Sequence, residues 1–181
     1  MSPARGWVFV TSNLNKVREA ERILGFALES APLELDELQA ETVGAVALAK
    51  ARAAFQKLGR PVIVEDAGLE LTGLGGFPGP FIKYWEKLGG LVSICRTADG
   101  LGDRRVRAVC ALGICTSSGS EVVSGSIEGT LAATPRGQNG FGWDAIFIPT
   151  GEERTFGEMT AAEKDARSHR RKAWELLRER L

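Results

Sequence analysis

The chain lacks an excess of charge of either sign. Its 23 Lys and Arg are cancelled by 23 Asp and Glu over 181 residues. A general nucleic-acid binder usually carries a basic surplus, so a nucleic-acid partner is not expected. Any anionic ligand must be held by a local cluster of cations rather than by an overall field. Cysteine is sparse, with only Cys95, Cys110 and Cys115. An odd count argues against a disulfide framework, and no histidine lies near Cys110 and Cys115 to suggest a zinc site. Those two read as buried strand residues in a reducing compartment. No apolar run reaches the roughly 20 residues of a membrane span, so no membrane partner is expected. The opening "MSPARGWVFVTSN" has an apolar run too short for a signal peptide. A cytoplasmic location follows as the expectation. No repeat or linker divides the chain, so residues 1–181 are expected to form a single domain.

What is present alternates between strand and helix patterns. "WVFVT" is a short β-branched run and reads as a buried strand. Val17, Ala20, Ile23 and Leu24 then recur at helical spacing until Gly25. "APLELDELQ" looks like a strand that exits into an acidic loop. "TVGAVALAKARAAFQKLG" predicts an alanine-rich helix stopped by Gly59, and "RPVIVED" a buried strand ending at Glu65 and Asp66. This β-α-β-α-β order favours an α/β fold. "LTGLGGFPGPFIKYWEKLGG" reads as loop followed by a short helix. "RVRAVCALGIC", "EVVSGSIEGTLA" and "DAIFIP" read as strands, with "SSGS" as a hairpin turn. The tail predicts a helix with two possible starts, a capping box from Thr160 to Glu163 or an N-cap at Ser168.

Five stretches carry possible chemistry. "TSNLNK", Thr11 to Lys16, sits at a strand-to-helix turn, where hydroxyl, amide and helix N-terminal N–H groups suit an anion. A capped helix with a surface lysine gives the same pattern. "VEDAGL" places Glu65 and Asp66 at a strand end, where carboxylates can hold Mg2+ and, through it, phosphates. A solvated acidic strand end is the alternative. "DELQAE" offers Glu37 or Glu41 as a second carboxylate, or an exposed acidic loop. "GFGWD" sets Phe141 and Trp143 among glycines, either to stack on a flat base or to fold back as core. In the tail, a helix begun at Thr160 puts Ala162, Ala166, His169, Ala173 and Leu176 on one stripe. His169 then faces inward, either as a core residue or, with Lys164, Ser168 and Arg170, as a donor to a carbonyl-rich and phosphate-rich ligand.

Taken in order, "TSNLNK", "VEDAGL", "GGFPGPFIK", "FGWD" and "EMTAAEKDARSHR" resemble the inosine triphosphate pyrophosphatase family over nearly the whole chain. The resemblance implies an elongated mixed β-sheet with flanking helices and two lobes around a nucleotide cleft. It implies hydrolysis of ITP, dITP and XTP to monophosphate and pyrophosphate, with Mg2+ as cofactor and a homodimer as the assembly. It implies that Thr11, Ser12, Asn13 and Lys16, with Leu14 and Asn15 in the same turn, line the triphosphate. Lys50, Lys83 and Lys164 would add charge there. Glu37 and Asp66 would hold the metal, and Asp66 would also act as general base. Phe141, Gly142, Trp143 and Asp144 would border the base, and Ser168, His169 and Arg170 would read its 6-oxo group. Ala67 stands where many members carry Ser or Thr, which leaves a backbone N–H without a side-chain hydroxyl. Glu37 lacks the proline expected before it. A pyrophosphatase for other modified nucleotides, or a nucleotide-binding module without turnover, remain the alternatives.

Overall fold

A computed structural model describes residues 6–179. The expected span of 1–181 and the reading of the first residues therefore reach, at residues 1–5 and 180–181, outside the described residues. The elements run β1 (Val8–Val10), α1 (Leu14–Leu24), β2 (Ser30–Ala31), α2 (Val43–Leu58), β3 (Val62–Leu71), β4 (Pro78–Gly79) and α3 (Ile82–Leu101). Then follow β5 (Arg105–Thr116), β6 (Gly119–Leu131), β7 (Phe147–Pro149), α4 (Ala161–Asp165) and α5 (His169–Arg178). Seven strands form one mixed sheet in the order β2-β1-β3-β5-β6-β7, with β4 paired to β3. The α/β class with an open mixed sheet and flanking helices is as the sequence suggests.

The continuous apolar runs arise because both faces of the sheet are covered. Phe9, Ile63 and Leu112 point to one side and pack with Ala20 and Leu24 of α1 and Trp174 of α5. Phe9 meets the Trp174 ring edge-on at 5.0 Å. Val8, Val10, Val62 and Val64 point to the other side and meet Ala51 and Ala54 of α2. Helices lie flat on the sheet where glycine admits them. A methyl at Gly113 would overlap the Ala47 carbonyl of α2, and one at Gly125 would overlap the backbone of α5. Gly113→Ala is expected to lower the unfolding free energy by about 2 kcal/mol, the scale of overpacking in a tight core. Urea titration measures it; an unchanged midpoint would mean that α2 can shift freely.

Several elements differ from the sequence reading, each for a physical reason. The strand expected over "APLELDELQ" shrinks to Ser30–Ala31, because Pro32 has no N–H to extend the ladder. The short helix after the "GFPGP" loop is as the sequence suggests, because Gly90 (φ 72°, ψ 162°) interrupts it, but a second helical stretch that the sequence reading does not contain follows to Leu101. The Ser93 hydroxyl donates to the Gly90 carbonyl at 2.8 Å and accepts from the Trp85 indole N–H at 2.9 Å. Beyond the kink, Ile94, Cys95 and Ala98 are buried and hold the second half on the core. In "DAIFIP" only Phe147–Pro149 is strand, and Asp144 lies in a 3-10 turn, Gly142–Ala145.

The tail is two helices, and both candidate caps are used. Glu163 and Thr160 form the capping box of α4, and the Ser168 hydroxyl accepts from the Arg171 N–H at 3.0 Å to start α5. The single stripe is therefore broken. Ala162, Ala166 and Leu176 are exposed, while His169, Ala173, Trp174 and Leu177 form the buried face.

The largest difference concerns the acids. The strand does not end at Glu65 and Asp66 but runs on to Leu71. β1 pairs only with Val62–Val64 and β4 only with Leu69 and Glu70. Between them, residues 65–68 have no strand partner on that side. The gap opens where the chain leaves β1 and turns into α1, and it is the floor of a cleft.

Candidate active site

At the first turn of α1, the Asn13 side-chain oxygen accepts from the Asn15 N–H at 2.9 Å and caps the helix. The Thr11 hydroxyl accepts from the Asn13 N–H at 3.1 Å. Ser12, Leu14 and Asn15 are exposed at this turn. Lys16, one turn in, crosses to β3 and donates to the Glu65 carbonyl at 3.0 Å. The turn, its lysine and the open edge of β3 thus meet.

A chain of opposite charges runs across the cleft beside it. Lys50 of α2 donates to Glu37 at 2.5 Å and to Asp66 at 3.1 Å, so one ammonium bridges both carboxylates. Lys83 also donates to Glu37, and the Tyr84 hydroxyl does so at 2.6 Å. Burial pushes the Glu37 carboxyl up, but Lys50, Lys83 and Tyr84 outweigh it and hold the pKa down at about 2. Asp66 behaves oppositely: burial raises its carboxyl above the usual range despite Lys16 and Lys50. Glu41 is exposed, so it is Glu37 that shares a cation with Asp66. Two carboxylates converging on one cation suit Mg2+, which is commonly held by one or two carboxylates plus substrate phosphates. Among the described residues no cluster of three or more His, Cys, Asp or Glu could hold a metal on its own.

Behind the cleft lies a buried ionic network that no local pattern announces. Arg170 donates to both oxygens of Glu65 at 2.9–3.0 Å and to Glu19. Lys164 donates to Glu19 at 2.7 Å and to Asp144 at 2.5 Å. All five residues are buried. Burial works against charge on Glu19 and Glu65, yet the adjacent cations keep both carboxyls below their usual range. The guanidinium of Arg170 and the ammonium of Lys164 are thus committed to protein carboxylates. Both sit over the Phe141 ring, at 5.2 Å and 4.8 Å from its centroid. Asp144 also accepts from the Phe141 N–H at 2.7 Å and fixes the "GFGWD" turn. Burial raises the Asp144 carboxyl against the pull of Lys164.

His169 is the exception to this saturation. It is 1% exposed, and neither ring nitrogen has a hydrogen-bond partner among the described residues. Trp143 lies against it at 5.2 Å and Phe156 stacks at 6.4 Å. Burial, with Arg170, Lys164 and Lys16 nearby, pushes its pKa well below 6.5. The ring is neutral at pH 7, with one N–H donor and one acceptor. A buried polar group without a partner is costly, so these nitrogens are aimed at something the chain itself does not supply.

This pKa shift has a consequence for stability. Below about pH 6.5 the unfolded chain binds a proton that the folded ring refuses, so folding stability falls with pH. Between pH 7.5 and 5.5 the native protein should lose about 1 kcal/mol relative to His169→Gln. Urea midpoints at the two pH values test it; parallel losses would show a protonated imidazole in the fold.

The cleft, about 180 Å³, brings together Lys16, Asp66, Ala67 and Lys83 at one end and Phe141, Gly142, Trp143, Asp144, His169 and Arg170 at the other. Trp143 is both core and wall, since it packs on Phe147 at 5.6 Å. Lys164 opens instead onto a neighbouring cavity of about 230 Å³ behind Phe141. Ser168 serves as a cap, its hydroxyl bound to α5. Arg167 and Lys172 form the solvated face of the tail, and Arg171 pairs with Glu175 at 2.8 Å. The sequence reading does not contain Glu19 and Glu65 as network members, Tyr84 as a partner of Glu37, or Glu86 as a cleft residue. Glu86 is three residues after Lys83, the spacing of one helix face, which is the signal that places it.

The sequence profile of the Ham1 family matches residues 7–180. The dITP/XTP pyrophosphatase of Methanopyrus kandleri is 40% identical over 176 residues, which covers 95% of this chain and 94% of that protein. The inosine triphosphate pyrophosphatase of Yarrowia lipolytica is 41% identical over 176 residues, with 94% and 93% covered. The solved HAM1 protein from Coxiella burnetii superposes with a TM-score of 0.84 at 27% identity, over 96% of each chain. With sequence, sheet and chain length in agreement, the chain belongs to the Ham1 family.

Proposed function

We propose that the protein hydrolyses non-standard purine nucleoside triphosphates, ITP, dITP and XTP, to the monophosphate and pyrophosphate. One observation carries this reading: a single cleft joins a lysine–carboxylate cluster to a buried histidine with no partner of its own. The names of the relatives from Methanopyrus kandleri and Yarrowia lipolytica point the same way. Lys16, Lys50 and Lys83 neutralise charge that develops on the departing pyrophosphate. Asp66 orients the attacking water and takes its proton, and its raised pKa makes it the stronger base of the two acids. Glu37 and Asp66 would hold Mg2+, which supplies further charge neutralisation at the phosphate oxygens. At the other end, the N–H of His169 meets the 6-oxo group, with the Phe141 and Trp143 rings beside the base.

Rates with ITP, XTP, dUTP and 8-oxo-dGTP test the substrate class. ITP and XTP should exceed the other two in kcat/KM. A preference for dUTP or 8-oxo-dGTP would favour a pyrophosphatase for other modified nucleotides.

A homodimer and a cytoplasmic location complete the proposal. α3 leaves Leu88 83% exposed, with Tyr84 and Val92 also outward, and this apolar surface supports the dimer reading. Light scattering should give the mass of two chains; a monomer at micromolar concentration would contradict it. Among the described residues, no helix is long and apolar enough to cross a membrane.

A further inference from the structure

Glu86 is the one acid lining the cleft that nothing above employs. Its carboxylate is half-buried and has neither hydrogen bond nor ion pair among the described residues. Every other carboxylate at the cleft or behind it is paired: Glu37 and Asp66 with Lys50, Glu65 with Arg170, Asp144 with Lys164. An acceptor left free in such a wall invites a donor from the ligand.

Its position says which donor. Glu86 follows Lys83 by one turn of α3, so it sits next to the phosphate end without belonging to it. A phosphate oxygen beside it would be repelled. On its other side it reaches Gly142, at the start of the turn that carries Trp143 toward His169. Glu86 therefore lies between the phosphate end and the base end. In a purine nucleotide, the hydrogen-bond donors in that interval are the sugar hydroxyls. The N–H groups of a 6-oxopurine lie on the far edge of the base.

We propose that the Glu86 carboxylate accepts a hydrogen bond from a sugar hydroxyl of the bound nucleotide and so positions the substrate between the two ends of the cleft. The proposal rests on the pyrophosphatase reading. It adds a sugar-reading residue to a site whose other assignments concern phosphate and base. Burial, with Asp144 nearby, also raises the Glu86 carboxyl above its usual range, as expected of an acid without a partner. The bond forms with the substrate and persists through the reaction, so it acts on binding more than on turnover.

The test compares the full-length native enzyme with Glu86→Ala and Glu86→Gln on ITP, dITP and 2′,3′-dideoxy-ITP, with Mg2+ throughout. Glu86→Ala should raise KM for ITP about tenfold, as expected for loss of a bond to a charged acceptor, and change kcat by less than about threefold. Glu86→Gln keeps an acceptor oxygen and should recover most of the loss. With the dideoxy substrate, native and Ala enzymes should share one KM, and dITP assigns the bond to the 2′ or the 3′ hydroxyl. An unchanged KM for ITP in Glu86→Ala overturns the proposal, and so does an equal rise with the dideoxy substrate. Failure of the native enzyme to turn over ITP would instead overturn the pyrophosphatase reading.

Discussion

Asp66→Asn is expected to lower kcat for ITP by about a thousandfold while the nucleotide still binds. The substitution keeps the volume of the side chain and an oxygen that Lys50 can still reach. It removes the negative charge and the ability to take a proton from water. Glu37 cannot replace it, since three donors hold its carboxyl at a pKa of about 2, too weak a base near neutral pH. The open edge of β3 and the α1 turn stay as they are, so binding of the base and most of the triphosphate should survive. Pyrophosphate release measures kcat, and calorimetric titration with ITP measures binding. A kcat within about tenfold of native would remove Asp66 from the role of base. Lost binding with normal turnover at saturation would make it a substrate contact only.

His169→Ala is expected to narrow the preference for ITP over ATP by about tenfold, one missing hydrogen bond to a buried partner. The ring nitrogens have no other partner among the described residues, so the ligand gains most of what they offer. The change is held to about tenfold for a reason. A neutral imidazole can exchange tautomers and accept from the adenine amino group as well as donate to a carbonyl. Ratios of kcat/KM for ITP and ATP in the two proteins read the effect directly. An equal fall with both substrates would show that His169 supports the wall without reading the base.

Much of this site was legible in the residues. The strand–turn–helix at "TSNLNK" needs only local rules, a β-branched run followed by a capping Asn13 and a helical stripe. The convergence of Lys16 and Asp66 follows from the β-α-β order, because β1 and β3 are parallel neighbours. Arg170 is where local reading runs out. The sequence offers its donors to a base, yet they are taken by Glu65 and Glu19, 105 and 151 positions away. No spacing rule reaches that far, and only the fold pairs them. Both caps of the tail, Thr160 and Ser168, are legible, but only packing shows that both are used and that the single stripe is broken between them. The length of β3 was hidden because apolar residues continue through "AGLEL" on either side of a strand end and a strand middle alike.

The buried network deserves a physical reason for its existence. Six charges, Lys16, Lys164 and Arg170 against Glu19, Glu65 and Asp144, sit at or behind the cleft with three of each sign. Such pairs contribute little net stability, yet removing one partner leaves a buried charge and costs about 3–5 kcal/mol. Their evident use is to fix geometry: Glu65 ties the lysine of the α1 turn to the arginine that begins α5, so both ends of the cleft share one support.

The most direct test is the identity of the products from ITP with Mg2+ and no added phosphatase. Cleavage between the α- and β-phosphates predicts IMP and pyrophosphate in equal amounts, with no inorganic phosphate. IDP and inorganic phosphate, or no turnover, would contradict it.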